Sequence, residues 1–220
     1  NTDAAGNISG STTNVSEINI SQRIIINGDT ATFYGGPTNI LTDATALISG
    51  LSPPITKAII VGHAAIGDNA FKDTTGLNSL TISGITTWDT SLGTSFTLPV
   101  INNIGSYAFQ NTGLTDVDIP VDVITIGESA FRSTLLSTIN IPWETTIGID
   151  AFSDLTINLS TVTIIGISTA VALNTWKSNN VSKFSGAGDI TIIFITETNG
   201  IMTETVGDIG YVYTVVSSTN

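Results

Sequence analysis

Cysteine is absent from the 220 residues. That excludes disulfides, thiol nucleophiles and Cys-ligated metals together. Histidine occurs once, at His63, so a histidine-based dyad has only carboxylates and hydroxyls to draw on. Basic residues are scarce: six Lys plus Arg stand against 18 Asp plus Glu, for a net charge of −12. Such a surface repels phosphate backbones and anionic lipid alike, which argues against nucleic acid as a partner. No apolar run approaches the roughly 20 residues of a membrane-spanning helix, so membrane insertion is not expected. The first residues, NTDAAGNISG, have neither a positive n-region nor an apolar h-region. The expectation is a mature secreted chain whose signal peptide has been removed.

Charged residues of both signs make up 11% of the chain, against roughly 25% in ordinary globular proteins. Thr, Ser and Asn do the polar work instead. Thr favours strands, whereas Ser and Asn favour turns, and all three are poor in helix interiors. No stretch reads as a Glu/Lys-rich amphipathic helix. The expected chain is β-rich.

Its organisation is written in a repeat. Residues 104–120 read IGSYAFQNTGLTDVDIP and residues 126–142 read IGESAFRSTLLSTINIP, aligned without a gap. The Ala-Phe pair recurs at Phe71, Phe109, Phe131 and Phe152. Phe131 follows Phe109 by 22 residues and precedes Phe152 by 21; Phe109 follows Phe71 by 38. The long interval reads as two shortened repeats, with Trp88 where the missing aromatic would fall. Fixed apolar positions among small or polar ones are what a stacked repeat requires. One copy cannot bury its own apolar residues; stacked copies place Leu114, Val117 and Ile119 against Leu136, Ile139 and Ile141. The Phe residues are then expected to form an internal aromatic ladder. Gly105, Gly127 and Gly148 are expected to permit a tight turn, and Pro120 and Pro142 to end strands.

The pattern Ile-Gly-x-x-Ala-Phe followed by Leu-x-x-apolar-x-Ile-Pro resembles the BspA-like class of leucine-rich repeats. The resemblance implies a β-rich repeat solenoid in which each copy adds a short strand to a parallel sheet and Ile-Gly-x-x-Ala-Phe forms the returning side. Thr74, Thr112 and Thr134 stand where that family often has Cys, and a small buried hydroxyl there can bond neighbouring backbone. The expected division is a strand-rich N-terminal segment or cap over 1–50, the solenoid over 51–171, and a β-hairpin cap or assembly segment over 172–220. At the N-terminal end, Val15 to Ile26 is expected as a strand and Asn27-Gly28 as a hairpin turn. Asn199-Gly200 marks a second hairpin.

No Gly-x-Ser-x-Gly, His-Glu-x-x-His, phosphate-loop or dinucleotide fingerprint occurs, so no catalytic residue, cofactor or transition metal is expected. Asp116, Asp118 and Asp122 lie close enough in sequence to hold a calcium ion, but neighbouring repeats add no acids, and a solvated acidic spot is the simpler reading. The better candidate for binding is the outward stripe of the sheet: Ser79, Thr81, Ser95, Thr97, Asp116, Asp118, Thr138, Asn140, Thr156 and Asn158, with Lys57 and Ile59 before them. That hydroxyl-rich surface suits a protein or glycan ligand. Trp88, Trp143 and Trp176 are either core plugs or sugar-stacking platforms. The resemblance implies a non-enzymatic, extracellular or cell-surface protein acting in adhesion. The alternative is a structural subunit that polymerises with copies of itself through its terminal strands.

Overall fold

The computed structural model describes residues 23–36, 38–83, 88–89, 95–96, 100–155, 159, 161–165, 170–184, 190–196, 200–203 and 211–213. It opens with β1 (Arg23–Asn27) and β2 (Thr30–Tyr34), an antiparallel hairpin. Gly28, at φ +60°, supplies the left-handed turn residue that Asn27-Gly28 promises. The strand expected over Val15 to Ile26 is described only from Arg23; its earlier part lies outside the described residues.

From β2 the chain winds in stacked coils. The first coil runs through β3 (Ile40–Leu41) and the short helix α1 (Ala44–Ile48). The second contains β4 (Lys57–Val61) and β5 (Ala65–Ile66). The third begins with β6 (Ser79–Ser83), carries the pair β7 (Trp88–Asp89) and β8 (Ser95–Phe96), and continues to β9 (Asn103–Ile104). β10 (Asp116–Asp118) and β11 (Thr125–Ile126), then β12 (Thr138–Pro142) and β13 (Thr146–Ile147), form two regular coils. β14 (Thr161–Ile165) starts the last, which returns through helix α2 (Ala170–Asn180) and a 3-10 turn at Val181–Phe184. The C-terminal part adds β15 (Ile190–Thr196), β16 (Gly200–Thr203) and β17 (Tyr211–Tyr213).

Each coil has three sides. The first carries the longer strands, ordered β1-β2-β4-β6 and β10-β12-β14-β15-β16, with β10 beside β6. From β2 to β15 the paired neighbours are parallel; β16 pairs β15 antiparallel, forming the C-terminal hairpin, and β17 joins β15 in parallel. The second side is a ribbon of two-residue strands, β13-β11-β9-β5-β3. Its rungs place Ile66, Ile104, Ile126 and Ile147 inward.

The third side is the Gly-x-x-Ala-Phe stretch. Alternate amides there point to the next coil: Phe71 N–H donates to the Ala108 carbonyl at 2.7 Å, and Phe109 N–H to that of Ala130 at 2.8 Å. The two-residue alternation is set by left-handed residues. Asn69, Tyr107, Ser129 and Asp150, and likewise Asp73, Asn111, Ser133 and Asp154, hold φ between 51° and 61°. Asn and Asp tolerate this region through local hydrogen bonding, which explains most of these positions. The in-phase glycines serve another purpose. A Cβ on Gly127 would lie 2.5 Å from the Ser106 nitrogen, so Gly is needed for close approach of coils and not for the turn itself.

The core follows the repeat. Phe71, Phe109, Phe131 and Phe152 are fully buried and stacked, with centroids 5.2–5.4 Å apart and planes within 13°. Leu114, Val117 and Ile119 lie buried against Leu136, Ile139 and Ile141, as expected. Each such side chain contributes about 1.5–3 kcal/mol by leaving water. Thr112 and Thr134 are buried and donate to the Phe109 and Phe131 carbonyls, both at 2.9 Å.

Two further expectations need correcting, and one is extended. Phe71 stacks directly on Phe109 at 5.3 Å, so the 38-residue interval is one coil with an insertion and not two shortened repeats; Trp88 belongs to the inserted β7–β8 pair. The ladder also extends past the repeat motif: Phe33 meets Phe71 edge-on, and Phe184 stacks on Phe152 at 4.9 Å. Finally, α2 interrupts the β pattern in a stretch where no helix was expected.

Candidate functional site

The outward face of the first side is built by register. Successive strands sit about 4.8 Å apart, and residues two apart on a strand share a face. Two columns result. One runs Thr30, Lys57, Ser79 and, past the break between β6 and β10, Asp116, Thr138, Thr161. The other runs Thr32, Ile59, Thr81, then Asp118, Asn140, Thr163. Of the expected stripe, Ser79, Thr81, Asp116, Asp118, Thr138 and Asn140 stand in these two columns.

Ser95 does not join them. It lies on β8, paired antiparallel with β7 in a two-stranded sheet of its own. Thr97, Thr156 and Asn158 lie outside the described residues. The rung after Thr138 and Asn140 is Thr161 and Thr163, because Val162 and Ile164 are the pair that fills the core. A Thr/Ile-rich segment offers two strand frames, and only the packing of Val162 beside Ile139 selects between them.

Polar contacts cross this face. Asn140 donates from Nδ2 to Asp118 Oδ1, and the Thr115 hydroxyl donates to Asp116 Oδ2 at 3.1 Å. Among the described residues no cluster of three or more acids, histidines or cysteines is arranged to hold a metal ion. At the other end of the face Lys57 pairs with Asp29 at 3.5 Å. The Thr56 hydroxyl, donating at 2.7 Å, is the main cause that holds the Asp29 carboxyl below its usual range; Thr30 and Lys57 add to it and partial desolvation opposes it.

His63 is fully buried at the corner after β4. A Cβ on Gly35 would fall 2.6 Å from its ring, so that glycine makes room for the imidazole. Burial pushes its pKa below the usual value; the Val61 main chain lies close enough to oppose this, although neither ring nitrogen reaches hydrogen-bond geometry. Trp176 is buried, 6.4 Å from Phe184, and Trp143 is half-buried against the core.

The coil geometry agrees with the family comparison: the model for the BspA type leucine-rich repeat region matches residues 55–183 in six copies. The chain belongs to the BspA-type leucine-rich repeat family. In BspA-type terms, the Ile-Gly-x-x-Ala-Phe segments are the ladder side and the strands after them the sheet side. Among solved structures, the chain is similar to a leucine rich cell surface protein from Faecalibacterium prausnitzii A2-165, at 21% identity and a TM-score of 0.27. That match covers 67% of this chain and 54% of the other, so the chain spans about half of that protein's length. No curated protein matches.

Proposed function

We propose that the chain is a non-enzymatic interaction module of the cell surface or extracellular space, and that the outward sheet face receives a protein partner. The observation that supports this is the composition of the second column. Thr32, Ile59 and Thr81, and then Asp118, Asn140 and Thr163, are short side chains on two adjacent hydrogen-bonded sheets. Short, β-branched groups lose little rotamer entropy on docking, and a fixed backbone needs no reorganisation. The Lys-poor, Thr- and Asn-rich composition supports an extracellular setting, and the net charge of −12 favours basic partners.

The test is adhesion of the immobilised chain to cultured cells and to extracellular-matrix protein. Thr81→Arg and Thr163→Arg, both directed outward, should each abolish retention while leaving the melting curve unchanged. If retention survives both, the sheet face is not the binding surface.

A second reading is self-assembly. β1 is the edge strand of its sheet among the described residues, and Ile25 and Ile26 on it are 41% and 43% exposed. Apolar edges of this kind template pairing with another copy. Sedimentation of the protein over a range of concentrations separates the readings: concentration-dependent polymers lost in Ile26→Lys favour assembly, and a monomer at all concentrations excludes it.

A further inference from the structure

The cleft where the last coils meet α2 has a volume of about 720 Å³, within the range of small-ligand sites. One wall is the corner after β12, with Trp143, Glu144 and Thr146; the other is α2 and the 3-10 turn, with Thr175, Asn179 and Lys183. The helix wall is unusual for an element that closes a hydrophobic stack. Its residues toward the cleft fall at positions 172, 175, 176, 179, 180 and 183, a regular i, i+3, i+4 stripe. A packing stripe of that spacing is ordinarily apolar. Here only Ala172 and Trp176 are.

The polar groups of the lining divide into engaged and unengaged. The Thr145 hydroxyl donates to the Val123 carbonyl at 2.8 Å, and the Asn180 amide to that of Trp176 at 3.0 Å. Glu144, Thr146, Thr175 and Asn179 are exposed, and Lys183 is half-buried. The ion pairs among the described residues are Lys57–Asp29 and Arg132–Asp154, so among those residues neither Glu144 nor Lys183 has an ion-pair partner. One carboxylate and one ammonium leave the lining neutral in a chain of net charge −12.

We propose that this cleft binds a short neutral saccharide of one or two pyranose units. A pyranose has an apolar C–H face that packs on an indole, here Trp143, and a ring of hydroxyls that both donate and accept. The unengaged groups match that mixture: a carboxylate accepts, an ammonium donates, and amide and hydroxyls do both. A charged ligand would face either Glu144 or Lys183 as a like charge. An apolar one would strip water from all five polar groups without replacing their hydrogen bonds. This site is independent of the sheet face and shares no residue with it.

The experiment titrates the whole chain with glucose, galactose, N-acetylglucosamine, lactose and cellobiose, read by tryptophan fluorescence and by amide chemical shifts. At least one saccharide should give a saturable response confined to residues 143–147 and 172–183. Asn179→Ala and Thr146→Val, at exposed positions, should each weaken that response by about fivefold, the worth of one hydrogen bond. Trp143→Ala should remove it; if that variant fails to fold, the two exposed variants decide alone. The proposal is overturned by the absence of any saturable response at tens of millimolar sugar. It is equally overturned if both exposed variants bind as the parent does, or if a neutral tripeptide saturates the cleft and no sugar does.

Discussion

The coil from Phe109 to Phe131 takes 22 residues and the coil from Phe71 to Phe109 takes 38, yet the ring centroids are 5.2 Å and 5.3 Å apart. The insertion has left the ladder untouched. It has not left the sheet untouched. β10 and β12 form a hydrogen-bonded pair, whereas β6 and β10 lie side by side without one, and Leu80 and Ile82 on β6 are only half-buried. The third side runs on through the long coil with Asn69, Phe71 and Asp73 each donating to the next coil at 2.7–2.9 Å. Coil spacing is thus held by the ladder side and the two-residue ribbon, and the longer strands are the side that yields. Surface pairs on the ladder side, such as Tyr107 with Glu128 at 2.7 Å, add little because they are exposed.

On that division the largest loss comes from the ladder. Phe131→Ala should cost about 3–5 kcal/mol by equilibrium unfolding, through lost burial plus a cavity between two rings. Phe71→Ala should cost a similar amount. A cost for Phe71→Ala below half that of Phe131→Ala would mean that the insertion loosens the ladder after all.

Next in size are the glycines between coils. Gly127→Ala should lose about 1–3 kcal/mol, because backbone must move to accept the methyl group. Gly76→Ala, whose Cβ would meet only the Ile55 carbonyl oxygen at 3.8 Å, should melt near the parent. Equal losses at the two positions would show that close approach is not what Gly127 serves.

A smaller effect is expected from acid. The folded His63 pKa lies below the 6.5 of the free side chain, so the unfolded chain binds more protons near and below that pH. Its contribution is complete above about pH 6.5 and is lost as pH falls towards the folded value. Asp29, also lowered, contributes above its free value of 3.8 and is lost only at more acidic pH. Thermal melts between pH 7 and pH 5 should therefore fall for the parent and stay flat for His63→Leu. A parallel decline in both would assign the dependence to other groups.

The smallest change is expected where the sheet already yields. Removing residues 85–99 brings the third coil to the length of its neighbours and should alter stability by no more than about 1 kcal/mol, since loop length enters closure entropy only logarithmically. Loss of folding on this deletion would make the insertion part of the scaffold and reverse the comparison.

The repeat phase, the inward Phe, Leu and Ile positions and the β-hairpin at Asn27-Gly28 were legible in the sequence alone. These follow from side-chain alternation and from a period of 21–22, properties that each copy carries locally and that stacking only multiplies. The tertiary structure decided what no local pattern carries. It showed that the 38-residue interval is one coil, because whether two rings touch depends on the path of the chain between them. It set Thr161 and Thr163 as the rung beside Thr138 and Asn140, because only contact with the preceding coil selects the frame of an alternating segment. It filled the ends of the ladder with Phe33 and Phe184, which stand outside the motif and are placed by the open face of the neighbouring coil.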